Sequence, residues 1–281
     1  MNNMLRKYLS FAALAGVLSV SGCQSKSISR GMKAPVCNID KPVPTYVHFF
    51  VANEALKGRS QQENHTQMQF WVNYSNWVLE NSCIPMTRNV AEVTFVDLSD
   101  HYVLDFSSAH YSLESVLGAD RISQIRQQSN HYYALILGSE NTFFKGDLHG
   151  QAERAPHGHF IALRYNTSQH VLEHEFGHLA WAEHDTETLK EQVGNNDLTE
   201  SSAVWEWPYI KPYARAYLCA NGGTIMSYAP KRRPFYSSPQ ISFNGEVCGN
   251  AKAGDNARVL RDYAQRLRER MASVGQGVAI N

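Results

Sequence analysis

The chain has no excess charge of either sign. Its 281 residues include 26 Lys and Arg against 26 Asp and Glu. That balance removes the electrostatic footprint of a nucleic-acid-binding protein. Its one basic cluster, Lys231-Arg232-Arg233, is short and reads as a solvated loop. Cysteine is scarce, five in all, with no CxxC spacing. A cysteine-ligated zinc site is therefore not expected. After residue 20 no apolar run is long enough to span a bilayer. There is no internal repeat. What remains, about 260 residues, suits one large domain or two small lobes around a cleft.

The N-terminus is a targeting segment. Arg6-Lys7 precedes an apolar stretch from Tyr8 to Val20, then Ser21-Gly22-Cys23. A charged start, a short apolar middle and small residues define a signal peptide over residues 1–22. Val20-Ser21-Gly22-Cys23 resembles the lipobox of bacterial lipoproteins. The resemblance implies cleavage before Cys23, acylation (palmitate) of Cys23 and membrane attachment through that lipid. Gln24 follows, which by analogy with Gram-negative sorting points to the outer membrane. Residues 23–43 then read as a polar tether, and 44–281 as the functional domain.

Setting Cys23 aside leaves Cys37, Cys83, Cys219 and Cys248. An even number outside the cytoplasm suggests two disulfides. Three pairings are possible. The expected one is Cys37–Cys83 with Cys219–Cys248, which keeps each bridge on one side of the motif described next.

That motif is His174-Glu175-Phe176-Gly177-His178, followed by His184-Asp185. On a helix, His174 and His178 are one turn apart and share a face, so both can hold one zinc ion. Glu175 is placed to take a proton from zinc-bound water. His184 is the expected third ligand, leaving a position open for water. Asn166 or Ser168 is the expected helix cap.

Before the motif, strands are expected at 45–51, 91–97, 132–137 and 159–163, with helices around 68–79 and 120–127. After Asp185 the regular pattern fades. A final helical stripe runs from Val259 to Met271.

Downstream stands Gly223-Thr224-Ile225-Met226-Ser227-Tyr228. With it, the chain resembles a metzincin zinc endopeptidase, whose pattern is HExxHxxGxxH followed by a Met-turn. His184-Asp185 is similar to the reprolysin branch, and Met-Ser-Tyr to serralysins and astacins. The resemblance implies an α+β fold. An α/β upper lobe (about 44–180) would carry a twisted mixed sheet and the active-site helix. An irregular lower lobe (about 181–281) would carry the Met-turn and a C-terminal helix. It also implies one catalytic zinc on His174, His178 and His184, with Glu175 as general base. Met226 would support the ligands, and Tyr228 would stabilise the oxyanion. A monomer acting on protein or peptide substrates follows, with strand 159–163 as the edge that pairs with substrate.

One position departs from the pattern. The family glycine is Trp181 here. That glycine lets the chain turn sharply off the helix, and tryptophan accepts a positive φ poorly. Asp185, Glu183 or a later carboxylate are the fallback ligands. A binding or adhesion lipoprotein with a metzincin fold and no turnover is the competing function. Hydrolysis of a non-peptide bond is a third. Cys37 and Asp40 are candidates for a blocking group, although a disulfide is the expected state of Cys37.

Overall fold

The computed structural model describes residues 31–56, 58–194 and 198–275. The signal peptide and Cys23 lie outside the described residues. In chain order the first elements are β1 (Met32–Lys33), β2 (Val43–Ala52), α1 (Asn53–Leu56), α2 (Gln61–Asn81) and β3 (Met86–Val96). Next come α3 (Phe106–Leu117), α4 (Ala119–Arg126), β4 (His131–Leu137), β5 (Gly150–Ala152), β6 (Phe160–Arg164) and α5 (Val171–Leu179). The remainder holds α6 (Thr186–Val193), β7 (Leu218–Cys219), β8 (Gly222–Gly223), β9 (Ser242–Phe243), β10 (Glu246–Val247) and α7 (Asn256–Gly275).

A five-stranded mixed sheet in the order β3-β2-β4-β6-β5 organises the first half. Four strands are parallel, and β5 runs antiparallel to β6. Alternation along the strands sends side chains to two separate cores. Val47, Phe49 and Val51 join Met68, Trp71 and Val72 of α2 and Leu172, Phe176 and Leu179 of α5. Phe50, Tyr133 and Leu135 join Ala109 and Leu113 of α3 and Ile122 and Ile125 of α4 on the other face. Ser60 begins α2 with a capping box, its hydroxyl meeting the Glu63 amide while the Glu63 carboxylate accepts from the Ser60 amide.

A third core lies below, where α7 buries Val259, Leu260, Tyr263 and Leu267 against Ala180, Trp181, Met226 and Tyr236. This part is less regular, with only short two-residue strands. Among the described residues no helix is long and apolar enough to cross a membrane.

Four expectations change. Helices α3 and α6 were not legible, and β3 begins earlier than residue 91. The strand near His159 is internal, so the free edge is β5. Neither Asn166 nor Ser168 caps the motif helix. It starts at Val171 without a side-chain cap, its first amide bonding the Ser168 carbonyl at 3.0 Å. The tether, from Gly31 on, is fastened to the domain. Met32–Lys33 pairs with β9, and Cys37 is bonded to Cys83. Cys219 is bonded to Cys248, so both disulfides follow the expected pairing.

Candidate metal centre and active-site cleft

Helix α5 is buried along nearly its whole length, and a polar clamp fixes its rotation. Glu173, fully buried, takes the Arg88 guanidinium of β3 at 3.2 and 3.3 Å and the Tyr236 hydroxyl at 2.9 Å. Burial opposes the Arg88 charge, and the Glu173 carboxylate more than restores it. Arg88 also lies 3.8 Å over the Phe176 ring. With Glu173 and Phe176 turned to the sheet, His174 and His178 face the lower half.

The helix ends in a Schellman motif. The Ala182 amide bonds the Gly177 carbonyl at 2.9 Å, and the Trp181 amide bonds the His178 carbonyl at 3.0 Å. Trp181 stands at φ +73°, the left-handed position that the family pattern gives to glycine. Its indole is buried, stacked on Tyr209 at 5.0 Å, with the Arg154 guanidinium 5.2 Å from the ring. Packing thus holds a conformation that local sterics disfavour. With Trp181 in place the turn forms and returns His184 to the helix.

Asn256, first residue of α7, secures the returning strand by bonding both the amide and the carbonyl of Glu183, at 3.3 and 2.9 Å. The fallback ligands are engaged elsewhere. Glu183 pairs with Arg154 at 3.3 Å, and Asp185 caps α6 through the Thr188 amide at 3.1 Å.

The three imidazoles converge. Their Nε2 atoms are 3.2 Å apart for His174 and His178, 3.1 Å for His174 and His184, and 3.0 Å for His178 and His184. Each Nδ1 faces an oxygen that only accepts: Ile225 O at 3.0 Å, Ala182 O at 3.1 Å and Gln192 Oε1 at 2.8 Å. The Nδ1 atoms must therefore carry the protons, which leaves three bare Nε2 lone pairs facing one another. Burial lowers all three pKa values, so the rings stay neutral. Lone pairs so close repel unless a cation lies among them, and this orientation by outer partners is that of metal-ligating histidines. The residues fit a three-histidine metal centre.

The floor beneath is the Thr224–Ser227 turn, closed by the Ser227 amide on the Thr224 carbonyl at 2.9 Å. Met226 is buried there and is no ligand; its neighbour Ile225 supplies the carbonyl that orients His174. Tyr228 lies at the open side, its ring 4.5 Å from that of His184 and its hydroxyl 3.3 Å from Gln192 Nε2.

Glu175 lies beside the edge strand. A side chain on Gly150 would come within 2.7 Å of the Glu175 carboxylate, so the glycine leaves it room. Burial pushes the Glu175 carboxyl up to about 8. A cleft of about 480 Å³ opens here, lined by Gly150, His170, His174, Glu175, Tyr228 and Arg232 among others. His170 does not compete for the metal site, because its Nε2 accepts from Arg232 at 3.0 Å. His157 and His159 stay outside the site, bonded to Arg270 and to the His131 carbonyl.

Sequence reasoning missed Gln192, Asn256 and Arg232. The first two carry no motif signal. Arg232, in a basic triplet that reads as a solvated loop, is instead half-buried in the cleft wall.

No protein-family model matches the chain. It is similar to the peptidyl-Asp metalloendopeptidase of Stenotrophomonas maltophilia (strain K279a), 28% identical over 204 residues, or 69% of this chain and 45% of that protein. A protein of the same name from Xanthomonas campestris pv. campestris is 37% identical over 99 residues, 34% of this chain and 20% of that protein. The chain thus spans less than half the length of these curated relatives. Among solved structures, one described as a chaperone-substrate complex shares the fold, with a TM-score of 0.58 at 15% identity over 81% of this chain and 35% of that one.

Proposed function

We propose that the chain is a zinc endopeptidase of the metzincin type that hydrolyses peptide bonds in proteins or peptides. One observation carries the reading. Three neutral imidazoles turn bare Nε2 atoms on one another at 3.0–3.2 Å, beside a buried glutamate at the wall of a cleft. The relatives' names support a metallopeptidase and bring peptidyl-Asp bonds into the proposal.

His174, His178 and His184 would hold the ion. When bound, zinc supplies a Lewis acid that acidifies a water and polarises the scissile carbonyl. Glu175 takes the proton of the attacking water and returns it to the leaving amine. Tyr228 donates a hydrogen bond to the oxyanion; burial raises its pKa and keeps the phenol protonated for that role. Strand β5, unpaired on its outer side among the described residues, offers backbone groups to an extended substrate. Attachment through lipid on Cys23 and placement at the outer membrane belong to the same proposal. The competing reading, a fold without turnover, rested on Trp181, which here forms the required turn.

Zinc stoichiometry and cleavage of a mixed peptide library test the reading. Glu175→Ala should keep one zinc and lose cleavage, while His178→Ala should lose both. Full cleavage by Glu175→Ala would reject the mechanism. Wild type that binds zinc and cuts nothing would return the chain to the binding class.

A further inference from the structure

We propose that Arg232 binds an acidic side chain of the substrate next to the scissile bond, and so is a specificity-determining residue. The proposal rests on the peptidase reading above.

Arg232 lines the same cleft as His174 and Glu175. Its position is built. Nε donates to the Ser227 carbonyl at 2.7 Å, on the turn that underlies the histidines. One NH1 hydrogen goes to His170 Nε2 at 3.0 Å, and the guanidinium lies 5.8 Å from the Tyr228 ring centre. Both hydrogen-bond partners are neutral acceptors. A guanidinium has five N–H groups, so the pair of bonds leaves three without a protein acceptor among the described residues.

Several arginines in the chain are matched by carboxylates, whereas Arg164 and Arg233 bond backbone carbonyls. Arg88 faces Glu173, Arg126 faces Glu153, and Arg154 faces Glu183 and Glu206. Arg232 has no such partner among the described residues. Asp147 lines the cleft at its exposed rim and makes no ion pair with it. A half-buried cation without a counter-charge is costly, and a cleft in front of it admits one from outside. The free N–H groups suit a carboxylate, which takes two parallel hydrogen bonds from one guanidinium. Charge selects the ligand class: an aspartyl side chain completes the pair, while asparagine, of the same shape, does not.

The experiment uses matched peptides that differ only by Asp or Asn beside the bond the wild type cuts, with the cut located by mass spectrometry. The wild type should prefer Asp in kcat/KM on the order of 100-fold, the effect of removing one partner of a desolvated ion pair. In Arg232→Gln that ratio should collapse towards one. The same peptides should bind Glu175→Ala with the same Asp preference and lose it in Glu175→Ala/Arg232→Gln. A wild-type ratio near one, or an Arg232→Gln protein that holds one zinc and keeps the ratio, overturns the proposal. If Arg232→Gln does not fold, Arg232→Met decides, because it keeps much of the apolar stem and loses the charge; an unchanged ratio there also overturns it. If the zinc-loaded wild type cuts neither peptide, the peptidase reading fails. Asp-over-Asn binding to that wild type then still upholds or rejects Arg232 by itself.

Discussion

Gly177 lies directly against Met226. A methyl group at 177 would come within 2.3 Å of the Met226 sulfur and 2.9 Å of its terminal methyl. The glycine between two of the converging histidines therefore sets how closely the Thr224–Ser227 turn approaches the helix. Gly177→Ala overpacks this contact and should cost about 1–3 kcal/mol. It should also weaken metal retention, because the adjacent Ile225 carbonyl orients His174. Chemical denaturation and competition with a chelator measure both. Unchanged values would mean that Met226 yields freely.

Trp181 sets strain against burial. Relief of the positive φ by Trp181→Gly gains about 1–3 kcal/mol. Loss of the buried indole from Tyr209 and Arg154 costs about 3–5 kcal/mol. Burial wins, so the variant should be less stable by roughly 2 kcal/mol even though it places the glycine of the metzincin pattern at this turn. A more stable variant in urea denaturation would reverse that ranking.

Gln192 touches no metal position and still holds two members of the site, accepting from His184 Nδ1 and donating to the Tyr228 hydroxyl. Gln192→Leu should lower metal affinity about 10–100-fold, the usual effect of removing an outer partner of a ligand. Its exposed place on α6 should leave the stability of the metal-free protein nearly unchanged. Equal zinc affinity by competition titration would show that His184 orients without it.

The metal-free protein should be acid-sensitive. Burial lowers the pKa of His174, His178 and His184, and takes His170 down to about 4. In the unfolded chain these groups titrate near 6.5. Below that pH the unfolded state binds more protons, so stability falls as pH drops. The loss should run from about pH 6.5 to about 4, with His170 alone contributing on the order of 3 kcal/mol. Denaturation midpoints of chelator-treated protein at pH 7.5, 6 and 5 report it, and a flat profile would contradict it.

The parts legible in the sequence are those with a period or a spacing. Strands β2 and β4 stand out as apolar runs, α2 through Met68, Trp71, Val72 and Ser75, and α7 through its stripe. The histidine spacing gave all three converging rings. What was hidden depends on tertiary context. Strand β5 is three residues long and has no apolar pattern to mark it. Arg232 stands in a basic triplet that resembles any solvated loop, and only the fold shows that its charge faces inward. Trp181 looked wrong because propensity is local, whereas the stack that fixes it comes from Tyr209 and Arg154.

Asn256 bonds the backbone of Glu183 from 73 positions downstream. A ribosome completes the HExxH segment long before it makes this residue. During synthesis the third histidine therefore lacks the clamp that returns it to the first two. Convergence of the three imidazoles thus draws on a contact from α7 that no residue of the HExxH segment supplies.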